Sequence, residues 1–141
     1  MNSFKDLDDL KTLTLCAYGE ARGEGVEGML AVCSVVINRT RVTRYTIKSV
    51  CLKPYQFSCF NANDSNSAKL LEIAQNFDEC LNKDNHLKQA YWIAKGIMDG
   101  WLQSNVYNAT HYHAISILPK WALNMEKIKK IGNHQFYFER R

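Results

Sequence analysis

Tyr18-Gly19-Glu20-Ala21-Arg22-Gly23-Glu24 sets two carboxylates and a guanidinium where one apolar segment stops and the next begins. Charge at a junction between packed helices is costly unless a partner or a task offsets it. Glu20 can act as a general acid in a partly apolar pocket, pair structurally with Arg22 or Arg39, or sit at a helix end in water. Read alone, the residue leaves all three open. Glu24, between Gly23 and Gly25, reads as part of an exposed turn.

Three histidines come late, as His111-x-His113 and a separate His134. Two imidazoles at alternate strand positions share a face, and a third ligand would leave zinc an open catalytic position. No His-Glu-x-x-His helix accompanies them, so the expectation is histidines hydrogen-bonded within an aromatic groove, with no metal and no other cofactor. Gln56, Phe57, Tyr112, Trp121, Phe136 and Tyr137 lie outside the helical stripes. Aromatic faces bordered by amides and hydroxyls suit a sugar, whose CH faces stack while its hydroxyls find partners. A core role competes for Phe57, Phe136 and Trp121. The chain has no Gly-rich phosphate loop and no local signature of a Cys–His nucleophile.

Positioning these groups falls to a set of short helices. Leu7, Leu10, Leu13 and Ala17 form a stripe on a helix starting near Ser3 or Asp6 and ending at Gly19. A second helix, about Glu27 to Asn38, is apolar nearly all round and reads as the central buried one. Thr46 to Cys51 allows a short helix, and Pro54 to Asn66 reads as loop around Gln56-Phe57-Ser58. A third helix capped by Ser67 carries Leu70, Ala74, Phe77 and Leu81; a fourth runs from about Asn85 to Met98 and stops at Gly100. Beyond it, Val106, Thr110 to His113 and Phe136 to Phe138 are aromatic and β-branched, as in short antiparallel strands. The expected fold is α+β: one mainly helical domain over 1–141 with a small antiparallel β element in its C-terminal third.

Composition bounds the function classes. The 141 residues are 46% hydrophobic and 23% charged, ordinary for a globular domain. No apolar run is long enough for a membrane span, so no membrane insertion is expected. The net charge of +4 lies in residues 120–141, where six bases face Glu126 and Glu139. Such a basic end suits a polyanion such as nucleic acid or an anionic wall, or is simply a solvated face. Five cysteines without Cys-x-x-Cys spacing read as free thiols of a reducing compartment. The first residues lack a secretory pattern, so synthesis in the cytoplasm is expected, with separate delivery to any outer site.

The order of blocks adds a resemblance. Ala17 to Glu24, Gly28 to Val32, Val35 to Arg39, Gln56-Phe57-Ser58, Ala109 to Ala114, Pro119-Lys120-Trp121 and Ile131 to Tyr137 succeed one another as in the SleB/CwlJ cell-wall hydrolases, known from spore cortex-lytic enzymes and phage lysins. The resemblance spans residues 12 to 138. It implies a lysozyme-like catalytic domain that cuts the glycan strand of peptidoglycan as a lytic transglycosylase, leaving an anhydro-muramic end. It maps the catalytic glutamate onto Glu20, with Arg22 and Glu24 in support, and groove walls onto Gln56, Ser58, Thr110, Tyr112, His134, Phe136 and Tyr137. The family's usual Asp-Pro-Thr-x-Gly-Ala lead is replaced here by Ser104 to Ala109. A monomeric phage endolysin released by a holin, binding glycan strands and no nucleic acid, is the expectation that follows. Muramidase-type hydrolysis, a zinc amidase built on the three histidines, and a non-catalytic wall-binding module are the alternatives.

Overall fold

Aspartates start three of the helices in the computed structural model, which describes residues 4–54 and 56–140. Helix α1 (Asp9–Ala21) is capped by Asp8, whose side chain accepts from the Lys11 N–H. Asp6 instead lies in a preceding 3-10 turn, and Ser3 falls outside the described residues. Helix α2 (Gly25–Thr43) extends beyond the expected Glu27–Asn38 at both ends. It packs against α1 and buries Met29, Val32, Cys33 and Val36 in the main core. Its other buried side, Ala31 and Val35, is reserved for the sheet.

Helix α3 (Ile47–Leu52) starts at Thr46, whose hydroxyl accepts from Ser49 N–H. The following loop contains a 3-10 turn, Ser58–Phe60, stacked on α1. The expected third helix is two. Helix α4 (Ser65–Gln75) is capped by Asp64 rather than Ser67, and Asn76 leaves helical geometry before α5 (Phe77–Lys83). The break lets Phe77 turn into the core beside Leu70 and Ile73. Helix α6 (Asn85–Asp99) starts on Asp84 and ends at Gly100.

The β element is a three-stranded antiparallel sheet of order β1-β3-β2: β1 (His111–Ala114), β2 (Glu126–Ile131) and β3 (His134–Phe138). Strand β2 lies in the lysine-rich stretch, whose sequence marks only a charge cluster. Its lysines sit on a sheet edge, where they discourage further strand pairing. Val106 is not in a strand. It is buried in the loop before β1 and joins Ala31, Val35, Ala109, Ile131 and Phe136 in a second apolar cluster that seats the sheet on α2.

The 104–109 segment is fixed by polar contacts. Ser104 Oγ accepts from Val106 N–H and donates to Tyr107 O, while Asn38 Nδ2 on α2 donates to Tyr107 O and Ala109 O, both at 2.9 Å. The chain thus enters β1 at a set height above α2. All five cysteines are free thiols, and Cys16, Cys33, Cys51 and Cys59 are buried.

Candidate active site

Glu20 sits one residue from the end of α1, half-buried, where the helices meet the sheet. Its Oε2 accepts from the Cys59 N–H at 3.1 Å and, more weakly, from Ser58 Oγ at 3.4 Å. Its Oε1 accepts from the Tyr112 hydroxyl of β1. Three segments far apart in sequence therefore converge on one carboxylate. Gly19 permits the approach: a Cβ there would lie 2.7 Å from Cys59 Cβ, 2.9 Å from Cys59 Sγ and 2.9 Å from Leu70 Cδ1.

Tyr112 is held by rings. It packs on Phe136 at 5.2 Å, edge-on to His134 at 5.2 Å and near Phe57 at 6.3 Å. Burial, and next the adjacent Glu20 charge, keep its phenol well above the ordinary tyrosine pKa. The hydroxyl therefore remains a donor at any pH at which the protein would work.

Glu24 is not in an exposed turn. Its Oε2 pairs with His134 Nδ1 and its Oε1 accepts from Asn133 N–H at 2.7 Å, so it ties the β2–β3 turn to the start of α2. Gly132 is required there on two counts. Its φ is +55°, and a Cβ would lie 2.1 Å from Glu24 Oε1. Arg22 does not touch Glu20 either. It donates to Tyr18 O and Asn66 Oδ1, with its guanidinium 4.7 Å from the Tyr18 ring, and so braces α4 against α1.

The expected groove walls divide. Ser58 and Tyr112 reach Glu20, and His134 stands behind Tyr112. Gln56 is exposed and accepts from Arg39 Nη1 at 2.8 Å. Thr110, Phe136 and Tyr137 are buried, and of the three Thr110 reaches the edge of a small cleft. Thr110 O accepts from Arg39 Nε at 2.6 Å, and its hydroxyl accepts from Glu139 N–H. Phe136 supports Tyr112 from below. Tyr137 points to the opposite side of the sheet, stacked with His113 and edge-on to Trp121, which removes Trp121 from the Glu20 site as well. Period-2 alternation across β3 makes the difference, since neighbouring residues face opposite ways.

The same alternation separates the histidines. His111 and His113 pair with Tyr137 and Gln135, whereas His134 pairs with Ala114 on the other face. Among the described residues, no group of three or more His, Cys, Asp or Glu is placed to hold a metal. Arg39, considered from the sequence only as a partner for Glu20, contacts other groups beside the candidate site. It bridges Gln56 to Thr110 and lies 5.4 Å from the Phe57 ring, and burial lowers its pKa from the ordinary value. The available signal was Asn38-Arg39 following the apolar Ala31–Ile37 run, two polar groups at the end of a buried face. A cleft of about 260 Å³ opens beside it, bounded by Arg39, Tyr45, Lys53, Gln56 and Thr110. A larger depression of about 880 Å³, formed by α4, α5 and the start of α6, is not lined by Glu20 or its partners. The carboxylate and its donors, not cavity size, mark the candidate site.

A helical body meeting a small antiparallel sheet, with one donor-held acid at the junction, places the chain in the lysozyme-like α+β class. The chain belongs to the cell wall hydrolase family, whose sequence pattern matches residues 23–137, a span that begins just after Glu20. The structure superposes on the catalytic domain of the germination-specific lytic transglycosylase SleB from Bacillus anthracis with a TM-score of 0.62 at 26% identity, covering 92% of this chain and 93% of that one. The catalytic domain of the Bacillus cereus SleB protein gives 0.63 at 25% identity, covering 97% and 96%. A spore cortex-lytic enzyme of Oceanobacillus iheyensis is 26% identical over 132 residues, which make up 92% of this chain and 41% of that protein. The chain therefore spans less than half the length of the curated relatives it matches.

Proposed function

We propose that this chain cleaves the glycan strand of peptidoglycan as a lytic transglycosylase, with Glu20 as its single acid/base. The supporting observation is the Glu20 carboxylate itself, reached by Tyr112, Cys59 N–H and Ser58 at the junction of helices and sheet. The nearest carboxylate in sequence, Glu24, has both oxygens engaged by the β2–β3 turn. SleB, described as a lytic transglycosylase, shares this fold.

Protonated Glu20 donates its proton to the glycosidic oxygen as the C1–O bond breaks and oxocarbenium character develops at C1. The resulting carboxylate then takes the proton of the muramic C6 hydroxyl while that oxygen bonds to C1. The product is a 1,6-anhydro sugar, no water is consumed, and Glu20 ends protonated as it began. Tyr112 and the Cys59 N–H stabilise the carboxylate formed between the two transfers. We read the chain further as a phage-type endolysin, in keeping with five free thiols, of which Cys16 and Cys33 are buried and pushed up in pKa by that burial.

Digestion of purified peptidoglycan followed by mass spectrometry tests the proposal. Anhydro-muropeptides are expected. Products heavier by one water would instead indicate muramidase hydrolysis, and free stem peptides an amidase. Glu20→Gln should keep the fold and sediment with sacculi while losing turbidity clearing; full clearing by that variant refutes the assignment.

A further inference from the structure

The sheet has a second side that the glycan reaction leaves unused. The loop from β1 to β2, residues 115–125, exposes four aliphatic side chains: Ile115, Ile117, Leu118 and Leu123, each between 45% and 73% accessible. Isolated exposed apolar residues are ordinary, but four within nine positions are not. Trp121, in the 3-10 turn of this loop, packs on the outer face of the sheet against His111, His113 and Tyr137. Strand register puts basic residues on that same face. Lys127 stands opposite Tyr137 and Lys130 opposite Gln135, and directly opposed residues share a side of the sheet. Lys120 lies in the loop itself, whereas Lys129 stands opposite Phe136 on the inner side. None of Lys120, Lys127 and Lys130 forms an ion pair with a described residue, whereas Arg140 is taken by Glu126.

From this juxtaposition we infer that the 115–125 loop and the outer sheet face form a docking surface for an anionic lipid bilayer. The surface would adsorb peripherally, since no helix among the described residues is long and apolar enough to cross a membrane. Charge and chemistry select this occupant over two others. A second copy docked through the same patch would bring unpaired lysines against lysines. A soluble polyanion would satisfy the lysines yet leave Ile117, Leu118 and Leu123 in water. A bilayer with acidic headgroups takes both: aliphatic tips enter the headgroup–acyl boundary, the Trp121 ring suits the interface, and the lysines meet the surface potential. Glu20 lies by the inner face, so adsorption would leave the site open to the wall above the membrane.

Co-sedimentation with vesicles tests this without reference to glycan cleavage. The chain should sediment with phosphatidylglycerol/phosphatidylethanolamine vesicles, remain soluble with pure phosphatidylcholine vesicles, and release at high salt. Lys127→Gln/Lys130→Gln should weaken binding about thirtyfold, from roughly one Lys-worth of surface attraction at each position. Ile117→Ser/Leu118→Ser/Leu123→Ser should abolish sedimentation with an unchanged circular dichroism spectrum; these side chains are solvent-exposed, so the fold does not depend on them. Failure to bind anionic vesicles overturns the inference. So does equal binding by the triple serine variant, which would mark a polyanion site, or concentration-dependent dimerisation through the loop in lipid-free solution.

Discussion

Gly19→Ala is the most direct probe of how the acid is positioned. The new methyl would fall inside the van der Waals envelope of Cys59 Cβ, Cys59 Sγ and Leu70 Cδ1, at 2.7, 2.9 and 2.9 Å. Cys59 and Leu70 are both fully buried, so neither can swing into solvent. Overpacking of this kind costs about 1–3 kcal/mol, while Ala recovers about 1 kcal/mol of helix propensity over Gly. A net loss of up to about 2 kcal/mol should lower the melting midpoint by up to roughly 7 °C. Activity should suffer separately. The Ser58–Phe60 turn must retreat, and with it the Cys59 N–H now 3.1 Å from Glu20. A hydrogen bond to a charged acceptor is worth about 1.5–3 kcal/mol, so clearing should slow at least tenfold at a temperature where the variant is folded. Gly23→Ala serves as the control, because a Cβ at Gly23 meets nothing within 4 Å. Thermal melts and turbidity assays on both variants decide. If Gly19→Ala melts and clears like wild type, close packing of the turn on α1 does not position Glu20.

Tyr112→Phe removes only the hydroxyl on Glu20 and keeps the ring contacts, so clearing should fall by about 10–100-fold with a small change in stability; wild-type rates in the variant would strip the hydroxyl of its role. Glu24→Ala orphans His134 and the Asn133 N–H and should cost about 2 kcal/mol in urea unfolding. Loss of clearing by Glu24→Gln at unchanged stability would instead make Glu24 a reacting group and end the single-acid mechanism. Tyr18 buries its hydroxyl against Asp84, and burial, with that hydrogen bond next, pushes its pKa up to about 12. Because the shift is upward, its stabilisation is complete below the ordinary tyrosine value near 10 and is lost as pH rises toward 12. Unfolding midpoints between pH 9 and 12 should fall in wild type and fall less steeply in Tyr18→Phe; parallel curves would show that Tyr18 does not titrate against folding.

Local chemistry settled much of this protein before any tertiary contact was known. The period of Leu10, Leu13 and Ala17 and the Asn85–Gly100 stripe each bury one side of a helix, and the apolar run through Val36 buries α2 on two, as sequence spacing alone determines. Glu20 stood out because charge beside glycines at a helix junction is unusual, and the order of blocks around it resembled one family. Other features depended on contacts between distant residues. The lysine-rich β2 has no core-like pattern of its own and becomes a strand only by pairing with β3. Phe136 and Tyr137 are adjacent in sequence and equally aromatic, yet the pleat sends one under Tyr112 and the other to the outer face. Glu24 became an anchor rather than a turn residue because Gly132 and Asn133, more than a hundred residues later, fold back onto it. Sequence spacing determined which residues were available for chemistry; only the packing of two distant segments, the Ser58–Phe60 turn and β1, on the α1 carboxylate decided which of them touch it.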